Sequence, residues 1–67
     1  MKSNLTRREI EVINLAALGY NNKQIAETLF VSSHTVKFHL ENIFRKLNCH
    51  TRVEAVIVSV QNKFISL

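Results

Sequence analysis

Two helical patterns follow one another between positions 21 and 47, with a break of only a few residues between them. Asn21 and Gln24 have the spacing of a capping box, which predicts the start of a short helix. A second helix is predicted after Ser32, because apolar residues then recur at three- and four-residue steps. These residues are Val36, Leu40, Ile43 and Leu47. Two short helices joined by a tight break indicate a helix-turn-helix, with one face in the core and another free to contact a partner.

The same reasoning applied to the whole chain predicts four helices and no strand. A capping box at Thr6 and Glu9 opens the first helix, and Gly19 is expected to end it, because glycine suits the left-handed position after a helix. The other helices are predicted at about 22–29, 33–47 and 52–62. No proline, repeat or linker interrupts the chain, so residues 1–67 are expected to form a single domain. The expected fold class is all-α, a four-helix bundle that contains a helix-turn-helix.

The connections between the helices carry predictions of their own. Phe30 and Val31 form the turn of the helix-turn-helix, and we expect both side chains to be buried there. Asn48 is expected to end the third helix, since asparagine is tolerated in the left-handed conformation. Thr51 and Glu54 have the spacing of a third capping box, which opens the fourth helix.

The charge of the chain favours a polyanionic partner. Nine Lys and Arg residues against five Asp and Glu residues give a formal net charge of +4. Four of the basic residues and one acidic residue lie between positions 32 and 52, so most of the net charge falls on and just after the third helix. Such a balance favours nucleic acid among possible partners, although a solvated basic surface accounts for the charge equally well.

Several classes of protein are disfavoured by the composition. Cys49 is the only cysteine, which excludes an internal disulfide or a cysteine-rich zinc finger and fits a reducing, cytoplasmic location. The first residues lack the apolar core of a signal peptide, and no apolar run approaches the roughly 20 residues of a membrane span. It contains no Asp and no glycine-rich phosphate loop, and His34 and His39 project to different sides of a helix. We therefore expect no enzymatic activity, metal, cofactor or membrane contact.

The fourth helix is apolar on nearly all sides, so it carries more apolar surface than three short helices can cover. One stripe, which includes Val56 and Val60, suits the core. A second stripe predicts the contact of a homodimer and consists of Val53, Ile57, Val58 and Gln61. The alternatives are that the tail at 64–67 or a neighbouring domain covers this stripe.

Four segments resemble, in order and spacing, the LuxR-type DNA-binding domain, the C-terminal module of the bacterial LuxR, NarL and FixJ regulators. They are LTRREIEVI (Leu5 to Ile13), GYNNKQIAETL (Gly19 to Leu29), VSSHTVKFHLENIFRKL (Val31 to Leu47) and TRVEAV (Thr51 to Val56). The resemblance covers almost the entire chain. It implies a four-helix domain that binds operator DNA as a dimer, with the third helix in the major groove and the fourth at the dimer contact. It also implies transcriptional regulation, by a small stand-alone regulator or by an isolated domain of a larger one.

The resemblance assigns base contacts to Lys37, Phe38 and Glu41. Lys37 can donate to guanine O6 and N7, and Phe38 can contact a thymine methyl group. Glu41 stands where relatives often have a basic residue; its carboxylate can accept from cytosine N4 but repels phosphate. An ion pair with Lys37 or Arg45 is an equally weighted alternative for Glu41.

Phosphate contacts are expected around the edge of the groove. Ser33 and Thr35 lie in the first turn of the third helix, where the backbone N–H groups and the helix dipole favour an anion. Asn22 and Lys23 hold the same position in the second helix. Further candidates are the cations Arg45, Lys46 and Arg52, for which solvation or pairing with Glu9 and Glu11 are equally weighted alternatives.

The expected partners are therefore double-stranded DNA and a second copy of the chain, with RNA polymerase or another regulator as further candidates. The alternative function is a protein-interaction module, an antagonist that docks through its fourth helix on another regulator. The salt dependence of binding distinguishes the two functions. A DNA-binding regulator should bind DNA with an affinity that falls steeply as salt is added, whereas an antagonist should form a tight protein complex and bind no DNA.

Overall fold

The computed structural model describes residues 4–67 and confirms an all-α fold over that range. Its helices are α1 (Arg7–Ala17), α2 (Asn22–Leu29), α3 (Ser33–Leu47) and α4 (Arg52–Gln61). The part of the chain that is described contains no strand. None of these helices is long and apolar enough to cross a membrane.

Side chains at the first residues of the helices satisfy backbone N–H groups that would otherwise lack partners. The Glu9 N–H donates to Thr6 Oγ1 at 3.1 Å, and the Thr6 N–H donates to Glu9 Oε1 at 2.8 Å. Asn21 and Gln24 make the same reciprocal pair at 2.8 and 2.9 Å. Both predicted capping boxes are confirmed. Ser32 caps α3 by accepting from the backbone N–H of Thr35 at 3.0 Å.

The third predicted capping box, at the start of α4, forms only in half. Thr51 Oγ1 accepts from the Glu54 N–H at 3.1 Å, as expected. The Glu54 carboxylate, however, accepts from the N–H of His50 at 2.8 Å rather than from that of Thr51. Thr51 has a φ of −132°, against −72° at Thr6 and −83° at Asn21. This difference rotates the Thr51 N–H away from the direction that the other two N-caps share.

Residues in the left-handed conformation end α1 and α3, as predicted. Gly19 has a φ of 92°, and the N–H groups of Gly19 and Tyr20 donate to the carbonyls of Ala16 and Leu15 at 3.0 and 3.2 Å. This pair of hydrogen bonds is a Schellman motif. Asn48 has a φ of 55° and ends α3.

The prediction that Phe30 is buried in the turn is wrong. Phe30 has φ 59° and ψ 44°, so it is itself the left-handed residue that ends α2. In this conformation its ring points outward and is 93% exposed. Val31, which follows it, is half-buried and packs against the core. The turn is therefore closed by one side chain rather than by two.

A single apolar core lies between the helices, with α1 and α3 in contact with each of the other three. The predicted apolar stripe of α3 supplies Val36, Leu40 and Ile43 to it, and α2 supplies Ile25 and Ala26. The chain end at 64–67 also contributes, because Ile65 is buried and Phe64 packs against the same cluster. In α4, Ala55 and Ser59 are fully buried. This packing turns one side of α3 inward along its whole length and leaves the other side exposed.

Candidate nucleic-acid interface

The exposed side of α3 carries the three residues that the sequence assigns to base contacts. Lys37, Phe38 and Glu41 are all exposed, and Phe38 keeps 56% of its surface accessible. Val36 and Leu40 lie beside them in sequence but face the core. Lys37 and Glu41 are one helical turn apart, with Phe38 adjacent to both. The fold thus brings an ammonium group, an aromatic ring and a carboxylate together on one accessible surface.

Two further residues extend this surface along α3. His34 lies four residues before Phe38, and Arg45 lies four residues after Glu41, so both share its side of the helix. Both side chains are exposed. The sequence predicts a phosphate contact at Arg45 and makes no such prediction for His34. The four-residue spacing between His34 and Phe38 indicates that both lie on the exposed side of α3. We call His34, Lys37, Phe38, Glu41 and Arg45 the outer face of α3.

Glu41 forms no ion pair within the described range. The ion pairs of residues 4–67 join Arg8 to Glu11 at 3.1 Å and Lys46 to Glu9 at 2.8 Å. Neither Lys37 nor Arg45 comes within ion-pair distance of Glu41. The carboxylate is therefore available to a donor from outside the chain.

The first turn of α3 offers fewer free groups than the sequence indicates. Ser33 is exposed, but Thr35 is half-buried. The Thr35 hydroxyl lies 3.0 Å from that of Ser32, and the Thr35 N–H donates to the same Ser32 oxygen. Ser33 is consequently the more accessible donor of the two predicted phosphate contacts.

The start of α2 places a second pair of donors at the surface. Lys23 is exposed, whereas Asn22 is half-buried. The Asn22 Oδ1 accepts from Arg52 Nη1 at 2.6 Å, which leaves the NH₂ group of this carboxamide as its remaining donor. The sequence did not predict this hydrogen bond, because it joins residues far apart in the chain.

Lys46 is part of the fold rather than of the exposed surface. Its Nζ donates to Glu9 Oε1 at 2.8 Å and to the Asn4 carbonyl at 3.4 Å. Burial raises the pKa of the Glu9 carboxyl, but the hydrogen bonds from Lys46 and Thr6 outweigh burial, and the pKa lies below its usual value. The sequence left open whether Lys46 contacts phosphate, is solvated or pairs with an acidic residue, and the structure shows the ion pair with Glu9.

The second stripe of α4 is only partly exposed. Val53 and Ile57 retain 70% and 51% of their surface, and Gln61 is also exposed. These three residues follow one another at four-residue steps, so they share a side of the helix. Val58 is half-buried and packs against the core. The structure therefore brings together three of the four predicted dimer residues and places Val58 at the edge. We call Val53, Ile57 and Gln61 the outer stripe of α4.

The outer face of α3 carries groups that can bind a partner by hydrogen bonds and apolar contact. Among residues 4–67, no three His, Cys, Asp or Glu side chains are grouped so that they could hold a metal ion. Cys49 is buried, and burial, together with the nearby charge of Glu54, raises the pKa of its thiol. The outer face of α3 offers hydrogen-bond donors, the acceptor oxygens of the Glu41 carboxylate and the exposed ring of Phe38 on one helix.

Comparison with known proteins places this arrangement in a family. The model of the family described as "Bacterial regulatory proteins, luxR family" matches residues 3–59. The transcriptional regulatory protein DegU of Brevibacillus brevis is 44% identical over 94% of the chain, and the nitrate/nitrite response regulator protein NarP of Escherichia coli strain K12 is 48% identical over 88%. The chain spans 27% of the length of each of these relatives. The solved structure of the transcription factor GerE superimposes with a TM-score of 0.89 at 32% identity, covering 92% of both chains. With its fold and its motifs in agreement, this chain belongs to the luxR family of bacterial regulatory proteins.

Proposed function

We propose that this chain is a sequence-specific reader of double-stranded DNA that regulates transcription, with the outer face of α3 in the major groove. The observation that carries the proposal is the division of α3 into a buried side and an exposed side that bears Lys37, Phe38 and Glu41. An α-helix fits the major groove of B-DNA, where each base pair presents a distinct pattern of donors and acceptors. Membership in a family of regulatory proteins agrees with this reading.

Each of the three side chains matches a different feature of the base edges. Lys37 donates to guanine O6 and N7, Phe38 contacts a thymine methyl group, and Glu41 accepts from cytosine N4. Glu41 adds selectivity rather than affinity, because its charge opposes that of the phosphates. Its lack of an ion pair with Lys37 or Arg45 supports a base contact over the intrahelical alternative.

The phosphate contacts form around this reading surface. Lys23 and Ser33 are exposed at the starts of α2 and α3, where unpaired backbone N–H groups also favour an anion. Asn22 contributes its remaining NH₂ group, and Arg45 lies exposed toward the end of α3. Thr35 is a weaker member because its hydroxyl is shared with Ser32. Lys46 is left out of this set, because its ammonium group already pairs with Glu9.

A homodimer that joins two such domains through α4 completes the proposal. The exposed apolar surface at Val53 and Ile57, with Gln61 at the next turn, supports this contact. Two copies related by a twofold axis then read two half-sites of a symmetric operator. We propose the chain as a single DNA-binding domain that acts in the cytoplasm.

A second candidate function rests on the same α4 surface. A side chain as exposed as Val53, next to Ile57, is equally suited to docking on a different regulator. The chain is then an antagonist, and its DNA-binding surface is secondary. This candidate predicts a tight protein complex and no DNA binding.

Selection of bound sequences from a random DNA pool, followed by titrations at several salt concentrations, tests the proposal. We expect enrichment of a symmetric site whose two halves are about one helical turn apart or a multiple of it, with an affinity that falls steeply with salt. Equal affinity for selected and random DNA would reject sequence-specific reading. Absence of binding to any DNA would leave the antagonist as the better reading.

A further inference from the structure

The guanidinium group of Arg52 joins the start of α4 to the start of α2. Its Nη1 donates to Asn22 Oδ1 at 2.6 Å, and its Nη2 donates to the backbone carbonyl of Tyr20. The helix α4 packs against α1 and α3 but not directly against α2. Within residues 4–67, the side chain of Arg52 thus provides the hydrogen bond that links these two helices.

We propose that Arg52 is a positioning residue for DNA binding: it holds the Asn22 carboxamide with its NH₂ group turned outward, where that group meets a backbone phosphate. The proposal rests on the DNA-binding function proposed above. It assigns Arg52 a role through Asn22 rather than a phosphate contact of its own.

The chemistry of the two side chains fixes the orientation. A guanidinium group has only donors, whereas a carboxamide has an acceptor at one end and two donors at the other. The end of Asn22 that faces Arg52 must therefore be the oxygen, and the nitrogen must point away. An asparagine without such a partner rotates freely about its last torsion angle, whose wells are broad and roughly twofold. It would then present to a phosphate an oxygen, which repels it, as readily as the nitrogen.

The neighbours of Asn22 make its orientation matter. Asn22 is the first residue of α2 and lies between Asn21 and Gln24, whose side-chain oxygens each accept from the backbone N–H of the other. The capping box of α2 thus orients those two carboxamides, whereas the carboxamide of Asn22 takes its orientation from Arg52. Lys23, beside Asn22, supplies an exposed charge.

Arg52 is itself held in place by the fold. It is the half-buried first residue of α4 and lines a pocket together with Ala16, Ala17 and Val53. Its second hydrogen bond, to Tyr20, anchors it to the loop that leads into α2. Both hydrogen bonds draw the charge toward the protein, which favours a positioning role over a direct contact with DNA.

A double-mutant cycle on DNA affinity tests the proposal. Arg52→Ala, Asn22→Ala and the double variant are titrated against the DNA site selected by the unmodified chain, at one salt concentration. We expect Asn22→Ala to weaken binding about three- to tenfold, which is the range of one net hydrogen bond. Arg52→Ala should weaken binding by a smaller factor, because it removes the orientation of the Asn22 carboxamide and leaves the carboxamide itself in place. The double variant should bind as weakly as Asn22→Ala alone, because Arg52 acts through Asn22. A double variant whose loss equals the product of the single losses would overturn the proposal.

A second cycle with Lys23→Ala supplies the matched control. Lys23 lies beside Asn22 but makes no hydrogen bond with Arg52 within the described range, so its loss should multiply with that of Arg52→Ala. In each cycle, the loss of affinity of the double variant is compared with the product of the two single losses. If the double variant with Lys23→Ala falls as far below that product as the one with Asn22→Ala, Arg52 has only a general structural role. Circular dichroism before each titration shows that every variant is folded. If Arg52→Ala is not, Arg52→Met, which has no hydrogen-bond donor, replaces it in both cycles and is judged by the same outcomes. Failure of the proposed function is distinguishable, because the unmodified chain would then bind no DNA site.

Discussion

At the scale of single residues, charge and exposure separate the side chains that we propose to read DNA from those that hold the domain together. Lys37 and Lys46 are both lysines of α3, yet Lys37 is exposed and Lys46 pairs with the buried Glu9. Lys37 can therefore donate to a DNA base without first losing a protein contact. Lys46 would have to break an ion pair to do so.

Lys37→Ala should lower affinity for the selected site by roughly 1–3 kcal/mol and relax the choice at one base pair, because a base-edge donor is lost. Lys23→Ala is the control, since it should weaken all sequences alike and reduce the salt slope by about one unit. Titrations of selected and random DNA at several salt concentrations measure both effects. If the two variants act alike on selected and random DNA, the outer face of α3 is not the reading surface.

Glu9→Gln should destabilise the domain by about 1–2 kcal/mol at neutral pH, because a charged acceptor for Lys46 and Thr6 becomes neutral. The pKa of Glu9 is lowered in the folded state, so its contribution is present above the unfolded pKa of about 4.3. That contribution is lost as the pH falls through the lower, folded pKa. Urea unfolding between pH 2 and pH 7 should therefore show a flatter acid limb for the variant.

Glu11→Gln is the matched control for Glu9, because Glu11 pairs with Arg8 at the surface with both side chains more than 40% exposed. An exposed pair of this kind contributes little, so the free energy of unfolding should change by at most about 1 kcal/mol. If both substitutions lower the free energy of unfolding equally, the ion pair of Glu9 with Lys46 stabilises the domain no more than an exposed ion pair does.

At the scale of helices, local rules account for most of the boundaries. The starts at Thr6, Asn21 and Ser32 and the ends at Gly19 and Asn48 follow from residues within one turn of each boundary. A capping residue and its partner lie three positions apart, so their sequence spacing carries the geometry.

The contacts and exposures that were not predicted depend on backbone angles and on helix packing, which no short sequence pattern encodes. Phe30 takes the left-handed conformation although it is neither glycine nor asparagine, and this turns its ring outward. Glu54 reaches His50 because of the extended angle at Thr51. The bond from Arg52 to Asn22 spans 30 positions and exists only after the helices have packed.

The left-handed end of α1 gives a prediction about stability. Gly19→Ala should destabilise the domain by roughly 1–2 kcal/mol, because an alanine strains at a φ of 92°. An added Cβ would meet no atom within 4 Å, so backbone strain is the whole cause. Asn48→Gly makes the opposite change at a φ of 55° and should not destabilise. Chemical denaturation of both variants measures the difference, and an unchanged Gly19→Ala would show that the loop adapts without strain.

At the scale of the whole molecule, the sequence identifies the excess of apolar surface on α4 but not how much of it the domain covers. Ala55 and Ser59 are buried in the core, and Val58, which was expected at the dimer contact, is half-buried against the same core. The packing order of the helices could not be read from patterns that describe one helix at a time. The outer stripe of α4 is the apolar surface that remains exposed, and we propose that a second copy covers it.

Ile57→Lys should abolish self-association, because a charge placed in the middle of an apolar contact must lose its water. Ile57 is 51% exposed, so the change leaves the core intact. Leu67→Lys is the matched control, since it adds the same charge at a leucine that is 83% exposed and lies beyond α4. Sedimentation equilibrium should find dimers for the unmodified chain and the control, and monomers for Ile57→Lys.

The same two variants connect the oligomeric state to DNA binding. A dimer binds two half-sites with the second contact made intramolecular, so Ile57→Lys should lose affinity for the full site while keeping its affinity for a single half-site. Leu67→Lys should bind both sites as the unmodified chain does, apart from a small gain from its charge. If Ile57→Lys is monomeric and still prefers the full site to the half-site, each domain reads DNA independently and the outer stripe of α4 serves another partner.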